Sequence, residues 1–404
     1  MSADSDAVGQ RAGVRAPSRA WAILGALSIT ETVSWGVLYY AFAVFLLPMR
    51  REFGVSIAEL TGAFSLALLI SGVAGIGVGR YLDDHSPRTL MTAGSIAGAL
   101  LVLAWSRVES LVAFYALWAA IGLVMAAVLY EPAFTVIAKW FPVAQQRRRA
   151  LTALTLVAAL ASFIFLPLSQ ALIDAHGWRD ALVILAVILA AATIPLHALV
   201  LRKAPEAPES RHVVEPSSTA AEALRSWPFW LLTAAFFLAT LTGIAMTVLA
   251  IPFLLERGYS ATFAAFAVGL VGFSQIPGRV LFATLGSRVP AAWATAGVFL
   301  LIAVGIIVLV SIHGTVAAIT GLVVLGMGNG MTTLSRATLI ADRYGAGAYG
   351  TIGGVAASFT TGARAAGPVA AAAYAELVGF PALLWTLAAL AAVAAMLAYR
   401  GSEN

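Results

Sequence analysis

The chain has 404 residues, 61% of them hydrophobic and 11% charged, where a soluble domain is about 45–50% apolar and about 25% charged. A water-soluble fold of this length has no room to hide so much apolar surface, so the solvent is lipid. A cytosolic enzyme, a secreted disulfide scaffold and a disordered chain are excluded as readings of the whole. There is no cysteine and the net charge is +5, which leaves no disulfide, thiolate metal site or cysteine nucleophile.

Residues 1–20 read as a polar cytoplasmic tail with Arg11, Arg15 and Arg19. No small-residue cleavage site follows, so the first apolar stretch reads as a span and not as a removable signal. A helix needs roughly 20 apolar residues to cross a bilayer. Segments 21–47, 59–82, 90–106, 110–138, 150–173 and 180–201 meet that requirement, as do 228–255, 262–285, 291–311, 314–341, 348–374 and 380–399. Continuous apolar runs exclude the alternating pattern of a β-barrel. Residues 202–227, with Pro205, Pro208, Pro216 and four Glu, read as a cytoplasmic linker, and 400–404 as a short tail. The expected fold is an all-α polytopic membrane protein of 12 transmembrane helices in two six-helix bundles, 21–201 and 228–399.

Lys and Arg set the orientation. With both termini in the cytoplasm, fifteen fall on inner segments and five (Arg50, Arg51, Arg107, Arg179, Arg257) outside, the bias expected of a membrane protein. The same scatter over loops makes nucleic acid an unsuitable partner. The two bundles also read as repeats. Gly79-Arg80-Tyr81-Leu82 and Gly278-Arg279-Val280-Leu281 lie 199 apart, and Pro167 and Pro368 lie 201 apart. Duplicated halves of this kind place a substrate site between them near mid-membrane.

On these residues the chain resembles the major facilitator superfamily over nearly its whole length. The family loop G-x-x-x-D-R-x-G-R-R is met here by Gly79, Asp83 and Arg88, while Asp84, Ser86 and Pro87 depart from it. The resemblance implies a latch between the halves on the cytoplasmic side. Within the superfamily the chain is similar to bacterial relatives of monocarboxylate transporters and oxalate/formate exchangers. That likeness rests on Trp35-Gly36-Val37-Leu38-Tyr39-Tyr40, Tyr130-Glu131-Pro132, Lys139-Trp140-Phe141-Pro142 and Gln275 four residues before Arg279. It implies that Arg279 binds a substrate carboxylate. Gln275 stands where those transporters carry Asp or Asn.

Charges at membrane depth cost at least about 2.5–3.5 kcal/mol each and need partners or a wet cavity. Glu31, Glu131, Arg279, Arg336 and Arg364 fall inside spans. The excess of one positive charge favours a small anion, since guanidinium grips carboxylate through two parallel hydrogen bonds. Arg279, Arg364, Arg336, Gln275 and Tyr130 are the expected substrate contacts, and Glu31 or Glu131 the expected proton carrier. The competing readings are a snorkelling Arg279, interhelical ties for Arg364 and Arg336, a permanent ion pair for either Glu, and a backbone-bonded Tyr130. Trp35, Tyr39, Tyr40 and Trp118 read as path lining or as packing anchors. Gly72, Gly75, Gly77 and Gly79 read as a close-packing stripe.

No nucleotide-binding P-loop, histidine cluster or cofactor motif is present in the sequence, so neither a metal nor a cofactor is expected. The expected activity is secondary active transport of a small organic anion, a monocarboxylate first, by alternating access with proton symport. The expected setting is a monomer in a bacterial-type cytoplasmic membrane. Efflux of drugs, metabolites or toxic oxyanions is the alternative within transport; a membrane receptor or embedded enzyme is the alternative outside it.

Overall fold

A computed structural model describes residues 18–203, 220–285, 289–344 and 349–402. Some helix side chains within these ranges, those of Asp83, Asp84 and Arg336 among them, are outside the description. Every element described is a helix. The first path is α1 (Ser18–Trp35), a π turn (Gly36–Tyr40) and α2 (Ala41–Phe53). Then come α3 (Ile57–Asp84), α4 (Pro87–Trp105), α5 (Leu111–Val128), α6 (Tyr130–Trp140), α7 (Ala144–Ala158) and α8 (Leu160–Val200). After the short α9 (Ala220–Arg225) follow α10 (Trp227–Glu256), α11 (Ala261–Leu285), α12 (Ala291–Ser311), α13 (Thr315–Tyr344), α14 (Tyr349–Val378) and α15 (Phe380–Ser402).

Among the described residues ten helical stretches are long and apolar enough to cross a membrane. One of them, Gln145–Val200, has 56 residues, far more than the roughly 20 a bilayer needs. It covers the segments expected at 150–173 and 180–201. Gly177, at φ 79° and ψ 163°, kinks it between them; a left-handed φ is strained for any residue with a Cβ. Large apolar side chains point outward along the bundle, with Val112 82% and Leu377 83% exposed. In water such a surface would aggregate; lipid is its matching solvent.

Local signals set the helix ends. The Ser56 hydroxyl accepts the Glu59 N–H at 3.0 Å and the Glu59 carboxylate accepts the Ser56 N–H at 2.8 Å, a reciprocal cap that starts α3. Pro87 opens α4 and Pro228 sits in the first turn of α10, where a missing N–H costs nothing. Inside the first half, Phe42 stacks on Phe64 at 4.6 Å and Trp105 meets Trp118 edge-on at 4.9 Å. Trp118 is fully buried in this cluster, so it is a packing residue.

The start of α1 and the end of α15 lie on one face. Gly401 sits against Leu231 and Leu232 at the start of α10, and Trp140 Nε1 donates to the Arg202 carbonyl at 3.3 Å. On the opposite face, Arg179 donates to the Ser106 and Val108 carbonyls at 2.7 and 3.0 Å and pairs with Glu52 at 2.6 Å. Arg257 does the same for the end of α12, donating to the Leu309 and Val310 carbonyls. Cations at helix C-termini complement the helix dipole.

The halves meet through α8 on α11 and α3 on α14. Ser162 Oγ donates to the Gly269 carbonyl at 3.3 Å, and Phe163 packs on Phe273 at 5.3 Å. A Cβ on Gly72 would run into Thr361, but one on Gly75, Gly77 or Gly79 would meet no atom within 4 Å. Among the described residues, only the first glycine of the stripe therefore packs across the halves. Among the described residues, further contacts between the halves gather on the face away from Ser18 and Ser402.

Two reciprocal contacts hold the closed face. The Asp174 carboxylate on α8 accepts from Thr262 Oγ1 in the first turn of α11 at 3.3 Å. Glu376 on α14 accepts from the Ala58 N–H in the first turn of α3 at 3.0 Å. Each half thus places a carboxylate on a helix N-terminus of the other, where negative charge is worth about 0.3–1 kcal/mol. Asp174→Asn combined with Glu376→Gln keeps the shapes and removes both charges. The expected result is a shift toward opening of this face by about 3–30-fold, the equivalent of about 0.6–2 kcal/mol. The chain has no native cysteine, so labelling of Thr247→Cys by an impermeant thiol reagent applied from this face reads the shift directly. An unchanged labelling rate removes the latch.

Candidate functional site

Between the halves lies a cavity of about 190 Å³. Its N-terminal wall comes from the π turn and from a break in the α5–α6 path. A π turn inserts an extra residue and rotates the helix that follows. Here it presents Trp35, Tyr39 and Tyr40 together. Gly36 makes this possible, since any Cβ there would collide with the Phe165 ring. The α5–α6 break falls at Leu129, at φ −90° and ψ −160°. Pro132 follows it closely, and a proline inside a continued helix would clash with the carbonyl four residues back. The break puts Tyr130 at the head of α6, with its ring 4.8 Å from Trp35.

The opposite wall comes from α10, α11, α13 and α14 and carries Arg279, Gln275, Arg364, Asn329, Thr240, Thr247 and Thr332. Arg279 is half-buried. Its Nε donates to the Gly330 carbonyl at 3.3 Å and its Nη2 to Gln275 Oε1 at 3.4 Å. A Cβ on Gly330 would sit 2.6 Å from the Gln275 Cα. Glycine is thus needed for α13 to approach α11 closely enough for its carbonyl to hold the guanidinium. Pro368 follows Arg364 by one helical turn and leaves the Arg364 carbonyl without its usual intrahelical donor.

Among the described residues the lining includes two guanidiniums and no carboxylate. The one ion pair found among the described residues, Arg179–Glu52, is far away on the closed face. Glu31 lies behind the aromatic wall and is fully buried. Its Oε2 accepts from Trp35 Nε1 at 3.0 Å, while Oε1 has no hydrogen-bond partner. Glu131 is exposed and does not line the cavity.

The structure therefore brings Arg279, Gln275, Arg364 and Tyr130 to one cavity and sets Glu31 one side chain behind it. Arg336 is on α13, with its side chain outside those described. Of the loop motif, Gly79 lies near the end of α3 and Arg88 is exposed at the start of α4; the Asp83 side chain is outside those described. Lys139 Nζ donates to the Leu82 carbonyl at 2.6 Å, tying α6 to the end of α3. Sequence reasoning missed Asn329, Thr240, Thr247 and Thr332.

A family model described as Major Facilitator Superfamily matches residues 27–368. Monocarboxylate transporter 13 of Bos taurus is 30% identical over 321 residues, covering 74% of this chain and 72% of that protein. The oxalate:formate antiporter of Oxalobacter formigenes is 26% identical over 227 residues, 55% of this chain and 53% of that protein. Among solved structures, a bacterial homologue of the human lysosomal transporter Spinster superposes with a TM-score of 0.77 in its inward-facing, unoccupied conformation. The identity is 16%, and the superposition covers 96% of this chain and 98% of that one. At that identity the likeness concerns the fold alone.

Proposed function

We propose that this chain, which belongs to the major facilitator superfamily of membrane transporters, moves a small organic anion, a monocarboxylate first, by alternating access. It is a multi-pass membrane protein and a transporter, not an enzyme. One observation carries the anion reading. Two guanidiniums line the cavity between the halves, and among its described lining residues there is no carboxylate to neutralise them. Unpaired cations at membrane depth are expensive. An arriving carboxylate supplies the missing counter-charge and gains charge-assisted hydrogen bonds worth roughly twice neutral ones.

In this reading Arg279 is the anchor, held by Gln275 and the Gly330 carbonyl, with Arg364 as second cation. Tyr130 presents a hydroxyl, and Arg336 acts from α13. Glu31 carries a coupling proton, with Glu131 as the alternative carrier. The terminal face is cytoplasmic, on the Lys and Arg bias. Gly79, Asp83 and Arg88 close that side when the far face opens. The protein works as a monomer in a bacterial-type cytoplasmic membrane.

Uptake into proteoliposomes tests the reading. Labelled monocarboxylates are expected to enter and to be displaced by unlabelled carboxylates, with cationic drugs failing to compete. Competition by cationic drugs and none by carboxylates would point to efflux chemistry and sink the anion assignment.

A further inference from the structure

The two walls of the cavity differ in kind. The N-terminal wall is a contiguous aromatic surface, with Trp35 at 4.9 Å from Tyr39 and 4.8 Å from Tyr130, and Tyr39 at 5.0 Å from Tyr40. All four residues are half-buried, and all four line the cavity, so they hold one another and still present surface to it. The facing wall supplies the guanidiniums and neutral hydrogen-bonding groups. A short acid such as acetate or oxalate would satisfy the second wall and leave the first against water. Ring faces and edges are best matched by another ring, in offset or edge-on contact.

Size permits such a ring. A cavity of about 150 Å³ accepts one benzene, and a water takes about 30 Å³ of liquid volume. The 190 Å³ here is therefore enough to admit one six-membered ring. We infer that the site is shaped for a carboxylate borne on a single planar ring, an acid of benzoate size. The ring lies against Trp35, Tyr39, Tyr40 and Tyr130, and the carboxylate reaches across to Arg279. This assignment rests on the anion reading above and narrows it.

Calorimetric binding to the purified full-length chain, with benzoate, acetate, oxalate and cyclohexanecarboxylate as probes, tests it. Benzoate is expected to bind at least about ten-fold more tightly than acetate or oxalate, from the area of ring surface buried, and more tightly than the non-planar cyclohexanecarboxylate. Tyr130→Leu keeps an apolar side chain and removes the ring; it is expected to cut the benzoate-to-acetate preference at least about three-fold. Acetate or oxalate binding the unmodified chain as tightly as benzoate would overturn the ring assignment and leave the anion reading standing. Binding of none of the four would overturn both. The comparison on the unmodified chain does not depend on any variant folding.

Discussion

Arg279→Ala is expected to lower carboxylate uptake by roughly 30-fold or more while the protein still folds. Truncating one partner of a buried, hydrogen-bonded charge pair costs about 2–5 kcal/mol, and each 1.4 kcal/mol is ten-fold. Only two contacts of this guanidinium to the protein are found among the described residues, to the Gly330 carbonyl and to Gln275 Oε1. Both are long and both accept from a fork that has five N–H groups, so donors remain for a carboxylate. Neither contact is to a charge, so removing the side chain leaves no buried counter-ion behind and folding is spared. Arg279→Lys keeps the charge and loses the fork. It is expected to fall at least about ten-fold, because bidentate recognition is not available to an ammonium. Uptake by purified variants, matched for thermal stability in detergent, is the measurement. Full uptake by Arg279→Ala would remove the residue from the site.

Much of the fold was legible because the bilayer imposes a length. Apolar runs of span length announced the helices, and the prolines, glycines and charged stretches between them announced the breaks. The π turn was not legible, since nothing in Gly36–Tyr40 departs from an ordinary helical composition. Its setting is tertiary: the Phe165 ring packs where a Cβ on Gly36 would be. The break at Leu129 left one trace, Pro132, and that trace reads equally well as a kink. The Gly177 kink is similar, for a glycine takes φ 79° without strain and a sequence does not say which glycine will.

The site divides along the same line. Arg279, Arg364 and Glu31 stood out because an ionisable group inside an apolar run is costly. Asn329, Thr240, Thr247 and Thr332 carry no such mark. A helical threonine satisfies itself on the preceding turn, as Thr247 Oγ1 does on the Gly243 carbonyl at 2.9 Å and Thr332 on the Gly328 carbonyl at 3.0 Å. It can therefore sit anywhere. Glu131 shows the opposite failure. It follows Tyr130 directly, and neighbouring positions on a helix point about 100° apart. The tyrosine enters the cavity and the carboxylate does not. Which face a charge occupies is decided by the break at Leu129, and that geometry has no counterpart in a linear scan.

Glu31→Gln is expected to abolish accumulation driven by an inward pH gradient and to leave exchange of labelled for unlabelled substrate running. For one proton per substrate, a step of one pH unit is worth about 1.4 kcal/mol, or about ten-fold accumulation; the variant is expected to stop at equal concentrations. The assignment follows from connectivity. Glu31 and Trp35 are one helical turn apart, and the Trp35 indole spans from the carboxylate to the cavity. A ring or carboxylate settling against Trp35 therefore bears on the single hydrogen bond that Glu31 makes. Glutamine is the right replacement because it keeps the volume and an oxygen for the indole N–H, and removes only the exchangeable proton. Glu131→Gln is the paired control. Its side chain is exposed and outside the cavity lining, so it is expected to accumulate normally. Normal accumulation by Glu31→Gln with loss in Glu131→Gln would move the carrier to α6. Loss in neither would leave a carrier driven by the substrate gradient alone, with the buried carboxyl serving only to hold Trp35 in the wall.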